Sequence, residues 1–132
     1  MHPSSDGALT ERVIGLAIEV HRHLGPGLLE SAYEECLSYE FNRHGLPFQR
    51  QAHLPVVYKD MPLDCSYRMD FVVDRELILE IKAVEQLLPI HNAQMLTYLR
   101  LSGIKLGLLM NSNSVVLKDG LRRIVLSESS PR

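Results

Sequence analysis

Tyr67-Arg-Met-Asp-Phe-Val-Val-Asp-Arg-Glu-Leu-Ile-Leu-Glu-Ile-Lys82 is the stretch of sequence that decides the fold. Side chains alternate between faces along a strand, and the polar segment Asp74-Arg-Glu76 predicts a hairpin loop in the middle of the stretch. With a three-residue loop Asp70 lies opposite Glu80, with Lys82 on the same face, whereas a two-residue loop would separate the two carboxylates. The three-residue register is favoured because it gives the hairpin one unbroken apolar face. That face consists of Phe71, Val73, Leu77, Leu79 and Ile81.

The polar face of this hairpin has the residue types of a metal-dependent hydrolase. Two directly opposed carboxylates, Asp70 and Glu80, repel each other and destabilise a sheet unless a divalent cation such as Mg²⁺ or Mn²⁺ lies between them. Lys82 can hold a phosphate or the attacking water, which suits hydrolysis of a phosphodiester. The alternative is an ordinary solvated strand face, and the spacing alone does not separate the two. Val72 and Ile78 on the same face weigh against the alternative, because they indicate partial cover.

Around the hairpin, the spacing of apolar residues predicts an α/β protein. The predicted helices run from an N-cap at Thr10 to about Leu24, from about Glu30 to His44, and from Pro89 to Gly103. The predicted strands are Phe48–Tyr58, Cys65–Val73, Leu77–Val84, Ile104–Met110, and a C-terminal hairpin of Val115–Lys118 and Leu121–Leu126 around Asp119-Gly120. The order is ααβββαβ plus a C-terminal β-hairpin, which predicts a central mixed β-sheet flanked by helices.

Length and composition indicate one soluble domain. A chain of 132 residues, 45% of them hydrophobic, predicts a single domain over residues 1–132 with its core at about 10–126. No apolar run approaches the ~20 residues of a membrane helix and no signal peptide is recognisable, so we expect a cytoplasmic protein that does not contact membranes. Cys36 and Cys65 lack the spacing of a metal pair, and we expect buried free thiols.

The charge balance limits the expected contact with nucleic acid. The net charge is −2, which excludes a generally basic nucleic-acid binder. Residues 1–66 contain five Lys and Arg against nine Asp and Glu, while residues 67–132 contain nine against seven. The C-terminal half is therefore the part of the chain that could contribute a basic face.

Two predicted helices present further polar residues. Glu30 and Glu34 lie one turn apart on the second helix, where either carboxylate could complete a metal site, or both could be ordinary surface acids. His91, Gln94 and Tyr98 lie on one face of the third helix. Gln94 there could position water or a phosphate. The alternative is the polar edge of a buried helix, in which Tyr98 belongs to the core.

The segment Gly27-Leu-Leu-Glu-Ser-Ala-Tyr33 resembles the signature of the GxxExxY proteins, a bacterial and archaeal family within the PD-(D/E)XK nuclease superfamily. The resemblance covers about Ile14 to Leu126, with several motifs matching in order. The further matching segments are Tyr67–Asp70, Glu80–Val84, Pro89–Arg100, Gly107–Asn111 and Arg123–Leu126.

The resemblance implies a restriction-endonuclease-like core and a nuclease-type site. It implies that Asp70 is the metal-binding aspartate, Glu80 the second acidic ligand and Lys82 the catalytic lysine, with Mg²⁺ or Mn²⁺ as the cofactor. Met69 stands where the superfamily motif nominally has proline, at a position that varies.

The resemblance also implies roles for residues of the two helices. Gln94 with Tyr98 is similar to the Q-x-x-x-Y element of exonuclease-like members. Glu30 is the candidate for the first-helix acid and third metal ligand, with Glu34 as the alternative. The implied function is a metal-dependent nuclease with DNA favoured over RNA, assisted by a homodimer or a partner protein. The alternative is a catalytically silent binding or scaffold module of the same fold.

Overall fold

Three helices, five strands and one 3₁₀ turn are present in the part of the chain that the structure describes. The structure is a computed structural model and describes residues 3–27 and 29–127. The helices are α1 (Pro3–Leu24), α2 (Glu30–Arg43) and α3 (Pro89–Ser102). The strands are β1 (Phe48–Tyr58), β2 (Met61–Val73), β3 (Leu77–Lys82), β4 (Leu106–Asn111) and β5 (Leu121–Val125), and the 3₁₀ turn is Leu117–Gly120.

The five strands form one mixed sheet in the order β1-β2-β3-β4-β5. All neighbouring strands are antiparallel except β3 and β4, which are parallel and are connected through α3. A parallel pair needs such a crossover, because a tight turn can join only antiparallel neighbours. This mixed sheet flanked by helices confirms the predicted α/β fold.

The central hairpin of β2 and β3 has the predicted register. Val73 pairs with Leu77, and Phe71 pairs with Leu79, so the loop contains three residues. Asp74 and Arg75 adopt positive φ values of 51° and 58° in that loop. The five predicted apolar residues of the hairpin all lie in one buried cluster.

Helices cover both faces of the sheet. On one face α1 and α2 pack on the apolar face of the hairpin, with Tyr33, Leu37 and Phe41 fully buried between the layers. On the other face α3 packs through Met95 and Leu99 onto a second cluster. The strand residues of that second cluster include Val72, Ile78 and Leu109. The second cluster confirms that the face carrying Glu80 is covered. No described helix is long and apolar enough to cross a membrane.

The prediction that α1 starts after Thr10 is wrong. The helix begins at Pro3, and Thr10 lies in its interior with no exposed surface. The hydroxyl of threonine favours an N-cap, but here Leu9 and Thr10 are both buried, so packing extends the helix past the local signal.

The predicted C-terminal hairpin is also wrong. Val115–Lys118 is not a strand: Val115 is 81% exposed, and the 3₁₀ turn begins at Leu117. β5 pairs instead with β4, where Leu121 lies opposite Met110. Gly120 is not a hairpin residue but a close-packing one, because a Cβ there would lie 2.2 Å from the Ser114 hydroxyl oxygen.

β1 and β2 form a long two-stranded ribbon that continues past the neighbouring strand. β2 begins at Met61, four residues earlier than predicted, and residues 61–68 are all exposed. Of the residues of β2, only Phe71–Val73 pair with β3, and β3 ends at Lys82. Cys65 lies on this ribbon and is exposed, and Cys36 is only partly buried, so the expectation of two buried thiols is wrong.

Candidate active site

Asp70 and Glu80 face each other where the β2–β3 ladder ends. The last backbone pair is Phe71 with Leu79. Beyond it the carboxylates take over the hydrogen bonding: Glu80 Oε2 accepts from the backbone N–H of Asp70 at 2.7 Å, and Asp70 Oδ2 accepts from the N–H of Ile81 at 2.8 Å. Each side chain is therefore fixed by the opposite strand, and the two acids are held side by side.

Glu80 is buried and Asp70 is partly buried, which makes the ionisation of this acid pair costly. Glu80 is only 3% exposed, and burial, followed by the charge of Asp70, raises the pKa of Glu80 to about 8. Burial also raises the pKa of Asp70, although the hydrogen bond from Ile81 opposes the shift. Two carboxylates in such a place repel each other unless a proton or a cation neutralises one of them.

Lys82 and Gln94 lie beside the acid pair. Lys82 Nζ donates a hydrogen bond to Gln94 Oε1 at 3.2 Å and lies 3.8 Å from Glu80 Oε1. Glu80 and Lys82 lie on the same face of β3, and Gln94 lies on α3, which packs on that face of the sheet. The structure thus brings together four of the five residues that the sequence selected.

The fifth residue, Glu30, lies apart from the other four. Its side chain is exposed at the start of α2, and its charge is the smallest cause of the raised pKa of Asp70. Glu34, one turn later, is buried, and its Oε1 accepts hydrogen bonds from Arg50 Nε at 2.9 Å and Gln51 Nε2 at 2.8 Å. The same Gln51 nitrogen lies 3.4 Å from Asp70 Oδ1, so Glu34 reaches the acid pair through one amide.

Sequence reasoning missed Gln51. It interrupts β1 with a φ of 54°, a region that residues other than glycine rarely adopt. The neighbouring register pairs, Arg50 with Phe71 and Ala52 with Met69, continue on both sides of it. Its only sequence signal is a polar residue in a predicted strand, which is too common to be selective.

The end of β3 is fixed by residues that the sequence placed in a loop. Ser112 donates from its backbone N–H, at 2.8 Å, and from its hydroxyl, at 3.2 Å, to the carbonyl oxygen of Lys82. Asn111 donates to the carbonyl of Val84 at 2.9 Å and accepts from the N–H of Val84 at 3.1 Å. These bonds hold the backbone at the lysine and two residues after it.

Tyr33 connects helices and sheet away from the acid pair. Its hydroxyl lies 3.0 Å from His21 Nδ1, and its one proton is within hydrogen-bond reach of the carbonyl oxygens of Gly25 and Ser112, the latter at 3.4 Å. Burial raises the pKa of Tyr33, so the hydroxyl stays protonated. These contacts indicate a structural role for Tyr33 and for His21.

The donor set fits a small divalent cation. Asp70 and Glu80 each give one oxygen to a backbone N–H. The second oxygens, Asp70 Oδ1 beside Gln51 Nε2 and Glu80 Oε1 beside Lys82 Nζ, are the ones that would bind a ligand. Within residues 3–27 and 29–127 no group of three or more His, Cys, Asp or Glu is arranged to hold a metal. Two carboxylates with water completing the shell are nevertheless the usual protein contribution to Mg²⁺.

Comparison with known proteins identifies the family. A family model described as the PD-(D/E)XK nuclease superfamily matches residues 7–124. Neither the curated proteins nor the solved structures gave a match. The matched residues include the acid pair, Lys82 and Gln94, and the chain belongs to the PD-(D/E)XK nuclease superfamily.

Proposed function

We propose that this protein is a metal-dependent nuclease that hydrolyses phosphodiester bonds, with Asp70 and Glu80 as ligands of Mg²⁺ or Mn²⁺. The observation that carries the proposal is the co-facial pair of a buried Glu80 and a partly buried Asp70, with Lys82 Nζ 3.8 Å from Glu80 Oε1. A buried like-charged pair is unfavourable by itself, and a divalent cation converts the repulsion into binding.

The side chains divide the chemistry between them. A bound divalent cation would lower the pKa of a water and neutralise charge on the phosphoryl oxygens. Lys82 donates hydrogen bonds to the attacking water or to a phosphate oxygen, and its charge opposes the negative charge that develops there. Gln94 accepts from Lys82 and keeps the ammonium group directed at the site.

The acid on α2 completes the proposed site from the other face of the sheet. Glu34 is favoured because Gln51 connects it to Asp70, and in this proposal it orients the aspartate. Glu30, the candidate from the sequence, remains the alternative as a direct third ligand. Glu30→Gln and Glu34→Gln separate the two, since only the residue in use lowers activity when it is changed.

Cleavage of nucleic acid by matched variants tests the proposed function. We expect Mg²⁺- or Mn²⁺-dependent cleavage of DNA, and Asp70→Ala, Glu80→Ala and Lys82→Ala should each reduce the rate by about 100-fold or more. Asp74→Ala changes an exposed carboxylate in the loop of the same hairpin and serves as the control. The measurement is the rate on labelled DNA and RNA, single- and double-stranded. Equal rates for wild type and Asp70→Ala would contradict the proposal.

A second candidate is a binding module that has kept the fold without catalysis. The β1–β2 ribbon favours it, because Val57, Tyr58 and Met61 expose half or more of their surface there. Such patches are typical of sites that bind partners. This candidate predicts no hydrolysis under any metal condition, while Val57→Ser or Met61→Ser would weaken a homodimer or a complex with a partner protein.

A further inference from the structure

A groove runs between α3 and the base of the β1–β2 ribbon, directly beside the acid pair. Its volume is about 490 Å³, and its lining includes Lys82 of β3, Gln94 and Tyr98 of α3, and Tyr67 of β2. Pockets that enclose small ligands have volumes of about 300–1,000 Å³. A molecule in this groove therefore contacts the same lysine that we place at the reacting phosphate.

The aromatic side of the groove is fixed in position. Tyr98 is 4% exposed, belongs to the buried cluster under α3, and supports the ring of Tyr67 at a centroid distance of 5.4 Å. Tyr67 itself is 40% exposed. One ring is thus part of the core, while the other presents its surface to the groove and loses little freedom when a ligand stacks on it.

An exposed, supported aromatic ring next to a phosphate-binding cation is suited to an unpaired nucleobase. Bases stack on aromatic side chains with about 1–3 kcal/mol each, and the stacking tolerates any base sequence. Ile90 adds apolar surface to the same groove. A base on Tyr67 would have its own phosphate within reach of Lys82.

The charge of the groove argues against duplex as the ligand. In the described part of the chain, Lys82 and His91 are the basic residues that line it. His91 Nδ1 is already used, because it accepts the backbone N–H of Leu88 at 2.9 Å at the start of α3. Duplex binding depends on several phosphate contacts at once, whereas one stacked base with one phosphate needs a single cation.

We propose that this groove binds an unpaired base of a single-stranded nucleic acid on Tyr67, which places the adjoining phosphate at Lys82. The inference rests on the proposed nuclease function, because it assigns that site its substrate class. Tyr67 is a binding residue in this arrangement, and Tyr98 positions it.

Binding of fluorescein-labelled oligonucleotides tests the groove without relying on hydrolysis. Anisotropy is measured with dT8, with U8 and with a blunt 20-base-pair duplex, in buffer containing Ca²⁺. Tyr67→Ala should weaken binding of a single strand by about 5- to 150-fold, corresponding to about 1–3 kcal/mol of stacking. Tyr67→Phe should bind like wild type because it keeps the ring, and the dT8 and U8 arms distinguish DNA from RNA.

Tyr39→Ala is the matched control, because Tyr39 is also an exposed tyrosine but lies on α2 and does not line the groove. Unchanged binding by Tyr67→Ala, an equal loss in Tyr39→Ala, or tighter binding of the duplex than of both single strands overturns the groove proposal. Tyr67-dependent binding without cleavage in any metal would leave the groove standing and reject the nuclease. Asp70-dependent cleavage without Tyr67-dependent binding would support the nuclease and reject the groove.

Discussion

Asp70 and Glu80 each use one carboxylate oxygen in place of a backbone hydrogen bond and keep the other oxygen for a ligand. The hairpin can therefore open at this point without leaving its amide groups unpaired. Buried amides without partners cost free energy, so the acids contribute to the fold as well as to the site. Holding the two carboxylates close together has an electrostatic cost, and that cost depends on pH.

Glu80→Gln tests that cost in the metal-free protein. The folded-state pKa of Glu80 is raised from 4.5 to about 8, so the folded protein binds one proton more than the unfolded chain between these values. Stability therefore falls as pH rises through this window, and the loss is complete above pH 8. At pH 9 the free energy of unfolding of the variant should exceed that of wild type by about 5 kcal/mol, since one pKa unit corresponds to about 1.4 kcal/mol.

The measurement is urea unfolding with EDTA at pH 5, 7 and 9. Mg²⁺ should stabilise wild type more at pH 9 than at pH 5, and it should not stabilise Glu80→Gln. Glu85→Gln, at an exposed carboxylate, is the control. A Glu80→Gln protein less stable than wild type at pH 9 would show that the carboxylate is not strained.

At the scale of elements, the close approach of two segments explains glycines whose role local sequence rules do not show. Asp119-Gly120 has the composition of a hairpin turn, yet Gly120 packs against Ser114 and the backbone carbonyl of Asn111. A hairpin turn and close packing both favour glycine because it has no side chain, and only the fold shows which of the two roles Gly120 has. Gly107 on β4 is a second example, because it allows α3 to approach the sheet through Met95.

Gly107→Ala should destabilise the protein. The added Cβ would lie 2.5 Å from Met95 Sδ and 2.7 Å from Met95 Cγ, and Met95 is fully buried. Overpacking of this kind costs about 1–3 kcal/mol. Gly15→Ala is the matched control: it lies on the exposed side of α1 with nothing within 4 Å of the new Cβ, and should stabilise the helix by up to about 1 kcal/mol. Thermal unfolding of both variants checks the opposite signs, and a stabilised Gly107→Ala would refute the contact.

At the scale of the whole molecule, features that depend on residues close together in the sequence could be predicted, and features that depend on distant residues could not. The register of β2 and β3 was predictable, because a one-residue slip would divide the five apolar side chains between the two faces of the hairpin, and the placement of Asp70, Glu80 and Lys82 follows from it. Gln94 could be selected by its helix face. The link from Glu34 through Gln51 could not, because it joins a helix to an irregular position of a strand and no local pattern encodes that contact.

Tyr33→Phe tests the connection between layers. The variant removes a hydroxyl that contacts His21 and the carbonyls of Gly25 and Ser112, at the junction of α1, α2 and the end of β4. Leaving buried partners without a hydrogen bond costs about 1–3 kcal/mol. Denaturant unfolding should show this loss, while the acid pair and its activity are preserved. A loss of activity without a loss of stability would place Tyr33 in the chemistry instead.

The parallel pairing of β3 with β4 has a kinetic consequence. The two hairpins of β1, β2 and β3 join neighbours in the chain, whereas β4 reaches β3 only after the segment containing α3 has closed a loop, and such closure slows folding. The Lys82 carbonyl is bound by Ser112, which follows β4, so the lysine is anchored only when that closure is complete. The acid pair lies on the β2–β3 hairpin, which can form before that closure. For the proposed nuclease, we therefore expect the two carboxylates to come together before the complete site has formed.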